Sequence, residues 1–433
     1  MKKIFLLAVL SISLPSIYAQ NCTANDSVSM GPGSGTDVFY SLKKANTTGN
    51  GVVSSSVNNN WHLAISVQAS NFPYNPANGA AIRVNSVLGE NPQAGTTGTK
   101  LVKLNGANVN NWRNADTTGL GSLPELLDSD STWNLSAFTS GYPKAGPFNF
   151  IWGTYNQNNK NIESNGNVYV LYNKSANWYK KINVKELSWD TTWHIIISNI
   201  DNTDSVYLKV SKKNYPKRMF VYYNVLTKQL LDREPDSDQW DLLWTKYKAM
   251  IEFNGSKVPY SVTGVLGNSA TKVAKNLGKK CNEVWLANKT AKINPSISAI
   301  GSDWKTFTGT AFAVTDTFVY FISTRDTQTY KVTMKSYAGG SKSKTTFNFY
   351  QATLGLESSD VIESVSLYPN PSNGIVRISA DLAIESISIM NLQGQMLLNT
   401  KENFVDASNL SAGIYIVLIQ TEAGLLKKTL VKE

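Results

Sequence analysis

The sequence predicts an all-β protein made of two tandem β-rich units followed by a small C-terminal β-sandwich. Short apolar runs alternate with polar residues, as in strands that bury one face. Residues that favour turns, above all Asn, Ser, Thr and Gly, are abundant, and helix signals are sparse beyond a hint at residues 123–127. The hydrophobic content of 42% is sufficient for packed cores, and 433 residues allow two or three domains of roughly 150 residues each.

The first 19 residues predict a cleaved secretory signal peptide. Lys2 and Lys3 precede an apolar run that ends at Ala19. No later apolar run is long enough to cross a bilayer as a helix. We therefore expect export from the cytoplasm and no transmembrane segment.

The body of the chain, residues 20–355, contains an internal repeat. The sequence distance between matching motifs of the two copies is nearly constant for the early motifs and shorter for the later ones. The first copy therefore has extra residues in its middle. The repeat predicts a first unit at residues 20–214 and a second at residues 215–355. The matching segments are residues 39–42 with 222–225, 60–66 with 239–245, 84–89 with 262–267, 168–172 with 318–322, and 181–185 with 331–335.

A linker at residues 356–364 and a third β-rich unit at residues 365–433 follow the repeat. Two prolines fix φ in the turn that opens this tail, and Asn373-Gly374 is expected to supply a left-handed corner. Later corners are expected at residues 391–395 and 411–413. The alternation predicts a core face formed by Val376, Ile378, Ile387, Ile389, Ile414, Ile416 and Leu418.

The tail closely resembles the type A C-terminal sorting domain of the type IX secretion system of Bacteroidota. The resemblance rests on a YPNP opening, an NLQGQ corner, a VDASNLSAGIYIV strand and a Lys-rich end, in the family's order. It implies an export address that is read by an outer-membrane translocon and clipped by a sortase-like peptidase, which leaves the cargo on the cell surface. An ordinary terminal β-domain is the alternative. The matching positions are Tyr368, Pro369, Asn370, Pro371, Gly374, Gly394, Gly413 and Tyr415.

The second unit resembles the HmuY family of haem-binding proteins of Bacteroidota, and the first unit is a more divergent copy. In the first unit His62 replaces the Asp of the family's Trp-Asp pair. The resemblance implies haem or another tetrapyrrole as the ligand. The matching segments are residues 221–225, 239–247, 253–255, 261–267, 329–337 and 346–350.

The axial ligand pair of that family is missing from this chain. Family members bind haem through His or Met side chains on loops, but residues 90–151 and 261–314 contain neither. The two histidines of the chain, His62 and His194, are therefore the candidate cofactor-binding residues. Both lie in strand patterns, where a lone His is more often structural.

Two cysteines, Cys22 and Cys281, are candidates for a disulfide, because an oxidising compartment permits one, and the sequence leaves open whether their sulfurs meet. The bond would tie the processed N-terminus to the middle of the chain. Lipid attachment at Cys22 is the weaker alternative, since Gln20 and Asn21 replace the small residues that such a site requires.

The net charge of +10 comes without a nucleic-acid-binding motif, so we expect a solvated basic surface and no nucleic-acid partner. The acidic run at residues 232–238 could hold Ca²⁺ through oxygen ligands, but its spacing matches no calcium loop, which favours a solvated loop and no metal site.

Function is expected to be binding rather than catalysis, because no serine-nucleophile, zinc-protease or phosphate-loop motif is present. The leading expectation is a secreted surface protein that captures a ligand, with haem the ligand implied by the family. The alternative is an adhesin or structural protein that binds glycans or host protein without iron. Exposed aromatic side chains could stack on a porphyrin or on sugar rings, or else cap the cores. The candidates for this role are Trp112, Trp133, Trp152, Trp178 and Trp304.

Overall fold

The architecture is all-β, as predicted, and the described part of the chain forms two compact units. The body comprises residues 23–279 and 291–352, and the other unit contains the tail, residues 353–433. Within the described residues, no helix combines the length and apolar character needed to cross a membrane. The predicted signal peptide and linker lie outside the described residues. The computed structural model describes residues 24–68, 79–91, 94–104, 109–115, 117–142, 146–278, 280–281, 292–352, 365–380, 383–391, 395–421 and 424–433.

The body is built from four β-sheets that pack as layers, two outer and two inner, with apolar cores between them. The first outer sheet contains β6 (Lys100–Lys103), β7 (Gly153–Tyr155), β8 (Ile162–Ser164), β9 (Tyr169–Asn173), β10 (Trp178–Leu187), β11 (Thr192–Asn199) and β12 (Val206–Ser211). The first inner sheet contains β4 (Leu63–Ser66), β5 (Ile82–Val84), β13 (Phe220–Asn224) and β14 (Gln229–Leu231).

The other two layers complete the body. The second inner sheet contains β2 (Thr36–Tyr40), β3 (Val52–Val57), β15 (Leu242–Phe253) and β16 (Ser256–Gly267). The second outer sheet contains β1 (Ala24–Ser29), β17 (Lys272–Asn276), β18 (Ile293–Asn294), β21 (Val319–Ser323), β22 (Thr329–Tyr337) and β23 (Lys344–Ala352). A two-stranded ribbon contains β19 (Lys305–Phe307) and β20 (Phe312–Val314).

The inner strands are apolar on both faces because each faces two cores. In β13, Val221 and Tyr223 pack into the core beneath the first outer sheet. The alternating residues Phe220 and Tyr222 pack into the central core between the two inner sheets. A run without alternation is the pattern expected of a strand that is covered on both sides. Layering therefore follows from the composition of these strands.

The two predicted sequence units exchange strands. β4, from the first unit, pairs antiparallel with β13, from the second. In the same way β2 pairs with β15, and the first strand of the chain, β1, pairs with the last strand of the body, β23. The predicted division at residue 214 therefore does not separate the sheets, since each half of the body contains strands from both sequence copies.

Equivalent contacts recur on the two sides of this exchange. The side-chain amide of Asn85 donates hydrogen bonds to the carbonyls of Asn58 (2.7 Å) and Trp61 (3.2 Å). The amide of Asn268 does the same to the carbonyls of Ser237 (2.9 Å) and Trp240 (3.0 Å). Both amides are buried, so these bonds fix the turns that lead into β4 and β15.

Aromatic packing repeats as well, and it crosses between the sequence copies. Trp240 contacts Phe39 edge-on at 5.1 Å between ring centroids, and Trp61 contacts Tyr222 in the same geometry at 4.8 Å. Each Trp therefore packs on the early strand of the other copy.

One alignment within the predicted repeat is out of phase by a residue. Tyr169 lies opposite Ile182, and Tyr320 lies opposite Val332, so the two buried tyrosines are equivalent. Matching residues 168–172 to 318–322 instead places Val170 against Tyr320. Both strands are apolar at nearly every position, and alternation therefore could not fix their phase.

The helix suggested at residues 123–127 is wrong. Leu126 forms a bridge to Leu101, and a single 3₁₀ turn, Leu120–Ser122, precedes it. The α-helix of the described residues is α1 (Leu42–Thr48), which Ser41 caps by accepting the Lys44 N–H at 3.3 Å. Further 3₁₀ turns are Pro32–Ser34, Val109–Asn114, Ala137–Thr139 and Lys212–Asn214.

The tail is a β-sandwich with its own core. One sheet contains β24 (Val365–Tyr368), β25 (Ile375–Ala380) and β28 (Phe404–Asp406). The other contains β26 (Ile384–Met390), β27 (Met396–Thr400), β29 (Gly413–Thr421) and β30 (Gly424–Lys432). The YPNP turn closes the sandwich: the amide of Asn370 donates to the carbonyl of Thr429 (2.7 Å), and its oxygen accepts the N–H of Val431 (2.8 Å).

Two predictions for the tail are wrong in detail. Gly374 does not adopt a left-handed φ, and the turn instead contains cis peptide bonds before Pro369 and Pro371. In β29 the buried face carries Tyr415, Val417 and Ile419 rather than Ile414, Ile416 and Leu418. Residues 414–419 of this strand are all apolar, so alternation could not show which face of the strand is buried. Gly394 lies outside the described residues.

Replacing Asn268 by Ala should lower the free energy of unfolding by about 2 kcal/mol, because the carbonyls of Ser237 and Trp240 lose the amide donor of Asn268. Urea denaturation followed by tryptophan fluorescence measures this change. Asn158→Ala, at an exposed loop position, is the matched control and should change stability little. Equal stability of the two variants would contradict a structural role for the Asn268 amide.

Candidate functional site

His62 is a buried residue immediately before β4. Its ring contacts Trp178 edge-on at 5.0 Å, and its backbone N–H donates to the carbonyl of Tyr223 at 2.9 Å. Burial lowers the pKa of His62 to about 4, so the ring is neutral at physiological pH. The Nδ1 atom has no hydrogen-bond partner.

His194 lies on β11 and does not meet His62. Its neighbours Trp193 and Ile195 point into the core beneath the first outer sheet, so His194 faces away from that core. There its Nδ1 lies 3.0 Å from the hydroxyl of Tyr207. His62 contacts Trp178, which packs on the inner side of the same sheet. The two imidazoles therefore lie on opposite faces of the sheet and do not form an axial pair.

The acidic run at residues 232–238 folds around cations and backbone amides. Arg218 forms ion pairs with both Asp232 (2.6 Å) and Asp236. The carboxylate of Glu234 is buried and accepts hydrogen bonds from two backbone amides and from the Tyr222 hydroxyl (2.6 Å). Among the described residues, no group of three or more His, Cys, Asp and Glu side chains is arranged to hold a metal ion.

Two of the five candidate tryptophans are core residues, and Trp112, Trp133 and Trp178 are partly buried. Trp152 and Trp304 are fully buried in the cores. Trp112 covers the Nζ of Lys181, at 4.7 Å from the ring centroid, and Trp133 packs beneath Arg83 at 5.1 Å. The most exposed tryptophan of the described residues was not among the candidates: Trp189, which is 73% exposed, in the turn between β10 and β11.

A cleft opens beside the central core, between the two inner sheets. It has a volume of about 80 Å³. Its aromatic lining comes from both sequence copies, and its polar lining comes mainly from the first copy and from β15. We call it the interlayer cleft. The aromatic residues are Trp61, Trp133, Phe220, Tyr222 and Tyr247, and the charged residues are Asp37, Arg83, Asp128, Asp130, Lys246 and Lys248.

Most charged groups at the cleft are held in place by neighbours. Asp128 accepts the backbone N–H of Val84 (2.9 Å) and of Ala137 (2.8 Å), and burial raises its pKa. Arg83 donates to three backbone carbonyls of residues 129–135. These bonds make the walls rigid, since each side chain has fixed partners.

Some polar atoms at the cleft retain bonding capacity. The indole Nε1 of Trp61 is buried and has no partner. Asp130 accepts the Met250 N–H through one oxygen at 3.3 Å, and Lys246 donates to the carbonyl of Glu90 at 3.3 Å. A ligand at the cleft would therefore meet aromatic surface together with hydrogen-bond donors and a carboxylate acceptor.

The longer connection of the first sequence copy builds one wall of the cleft. Residues 104–168 join β6 to β9, whereas the equivalent strands of the second copy, β17 and β21, are joined by residues 277–318. Asp128, Asp130 and Trp133 belong to the longer connection. The sequence showed that the first copy is longer, but not that the extra residues face the other copy's β15.

The predicted disulfide and sorting residues are placed as follows. Cys281 forms a disulfide bond, and Cys22, the other cysteine of the chain, lies outside the described residues. Gly413 begins β29, and the hydroxyl of Tyr415 donates to the carbonyl of Ser411 at 2.8 Å.

Comparison with protein families supports the interpretation of the tail. A family model described as a secretion system C-terminal sorting domain matches residues 366–433. The match implies export, with secretion or attachment at the cell surface. The HmuY-like resemblance of the body is not supported by a family match. Comparison with curated proteins finds no match.

Two buried carboxyl groups, Glu234 and Asp241, should each contribute stability that is lost as the pH rises from 5 to 8. Burial raises the pKa of Glu234 to about 7 and that of Asp241 to about 6, above their values in the unfolded chain. At these two groups the folded state binds more protons than the unfolded state in this range, so their contribution to stability falls as the pH rises.

The variant Glu234→Gln should flatten this dependence, by on the order of 3 kcal/mol between the two pH values, because Gln keeps the carbonyl acceptor and cannot ionise. Urea titrations at pH 5 and pH 8 measure the change. Asp238→Asn, at an exposed position of the same loop, is the control. Unaltered pH dependence in Glu234→Gln would refute the assignment.

Proposed function

We propose that this protein is exported by the type IX secretion system and binds a glycan at the cell surface through the interlayer cleft of its body. Export is supported by the sorting domain match at residues 366–433. Glycan binding is supported by one observation above all: aromatic rings, a carboxylate and amine donors converge on a single cleft with rigid walls.

A sugar unit fits this combination of groups. Aromatic faces pack on the apolar faces of sugar rings, while hydroxyl groups need both donors and acceptors. Asp130 offers an acceptor, and Lys246 offers a donor. The volume of about 80 Å³ admits the edge of one ring rather than a whole tetrapyrrole, since drug-sized ligands occupy pockets of roughly 300 Å³ or more.

Binding fits the cleft better than hydrolysis. Glycosidases need two carboxyl groups that are free to exchange protons with the substrate. Both oxygens of Asp128 accept backbone N–H groups, which leaves Asp130 as the available carboxylate of that pair. We therefore keep the proposal of a non-enzymatic protein.

Haem capture, which the HmuY-like resemblance implies, remains the competing proposal. The positions of the two histidines do not favour it, because His62 and His194 lie on opposite faces of a sheet. Adding haemin to the purified protein and recording the Soret band tests it. A Soret shift that disappears in His62→Ala or His194→Ala would favour haem over glycan.

Trp133→Ala should weaken glycan binding about tenfold, because it removes an aromatic wall of the cleft. Glycan-array screening of the full chain would identify a ligand, and calorimetry with that glycan would measure the loss. Trp189→Ala removes an exposed tryptophan elsewhere and is the matched control.

Asp130→Asn checks the same cleft with little risk to folding, since Asn keeps an acceptor for the Met250 N–H. It too should weaken binding. If Trp189→Ala reduces affinity and the two cleft variants do not, the binding site lies outside the cleft.

Deleting residues 365–433 should abolish appearance of the protein outside the cell, because the export address is lost. Immunoblots of the periplasm, cell surface and medium of a bacterium with this secretion system would show the protein retained in the periplasm. Undiminished export of the truncated chain would contradict the proposed role of the tail.

A further inference from the structure

We infer that the outer face of the sheet formed by β24, β25 and β28 in the tail docks an acidic segment of a protein of the export machinery. The inference deepens the proposed export function and rests on it. We call this surface the Arg377 face. Its central residues are Tyr368, Arg377 and Phe404, and it continues into a groove beside them.

Three exposed side chains form a row across the sheet. Arg377 lies directly opposite Tyr368 on β24 and Phe404 on β28, and residues that lie opposite each other in antiparallel strands share a face. The alternating residues Val376 and Ile378 point the other way, into the core of the tail. Tyr368 is 56% exposed, so the row presents aromatic surface on both sides of a cation.

A groove of about 410 Å³ adjoins this row. Arg377 and Lys401 both line it, together with the polar residues Ser379 and Asn403, and no acidic residue does. Among the described residues neither of these two cations forms an ion pair, in contrast to Arg218 and Arg233 of the body. Two unpaired cations beside a polar groove favour a carboxylate-bearing occupant.

The aromatic flanks indicate a protein segment rather than a small anion. Ile375, 53% exposed on the same face, extends the apolar area beyond Tyr368 and Phe404. Interfaces between proteins combine such aromatic and Arg residues at their centres. Asp406 lies on the same face, opposite Ile375, and accepts the Ser408 N–H at 2.9 Å; among the described residues it forms no ion pair with Arg377.

The test uses the full chain in a bacterium with this secretion system. Arg377→Glu should lower the amount of exported protein about tenfold, with the uncleaved chain accumulating in the periplasm. Lys427→Glu reverses an exposed charge on the other sheet of the tail and should leave export close to wild type. The separate variant Arg377→Lys, which keeps the positive charge, should retain most of the wild-type export.

Each other outcome decides against the Arg377 face. Equal loss in Arg377→Glu and Lys427→Glu, or no loss in either, would overturn it. Loss in both Arg377→Glu and Arg377→Lys would also overturn it, since charge would then not be what is read. Trypsin resistance of the retained chain checks folding: if Arg377→Glu is unfolded, Lys401→Glu takes its place and must show the same loss.

The acidic linker of the chain is the rival occupant. Residues 356–364 carry Glu357, Asp360 and Glu363 and no Lys or Arg. Changing these three residues to Gln should leave export unchanged if the occupant is a separate protein. A loss equal to that of Arg377→Glu would assign the groove to the linker and refute the partner. The tail deletion tests the export role itself, so failure of that role is distinguishable from failure of this surface.

Discussion

Backbone hydrogen bonding between the two sequence copies is the constraint on which the body depends. β4 completes its sheet with β13, and β2 completes its sheet with β15, so neither inner sheet can form from one copy alone. An inner strand without its partner would leave buried N–H and C=O groups unpaired, which costs far more than a surface defect. The copies are therefore obliged to fold together, although they are separate in sequence.

The exchange also explains where the interlayer cleft lies. Because the inner sheets face each other, the central core between them takes side chains from both copies, Phe39 and Ala64 from the first and Phe220 and Tyr222 from the second. A perfectly symmetric pair would close this junction equally on both sides. The longer connection of the first copy breaks the symmetry and supplies Asp128, Asp130 and Trp133 to one side. The difference in length between the two copies therefore makes the two sides of the central core chemically different.

Sequence reasoning identified what is local and missed what depends on long-range pairing. Strand positions and the equivalence of Trp61 with Trp240 follow from alternation and repetition. Their partners do not, because nothing local specifies that β2 pairs with β15 rather than with β4. The phases of β9 and β29 were missed for a related reason: both strands are apolar at each parity, and alternation then carries no information about the buried face. His62 and His194 share a residue type, but the sequence did not show that they lie on opposite faces of the first outer sheet.

The tail shows the opposite relation between sequence and contact. Its motifs lie at the two ends of the domain, yet the structure joins them directly: Asn370 of the opening turn bonds to Thr429 and Val431 of β30. The turn and the final strand must therefore be compatible with each other, which is a physical reason for both to recur together. This contact uses the hydrogen-bonding groups of Asn370 and leaves the neighbouring Tyr368 on the outer surface. Within one turn motif, Asn370 therefore closes the domain, while Tyr368 stays exposed and available to a partner.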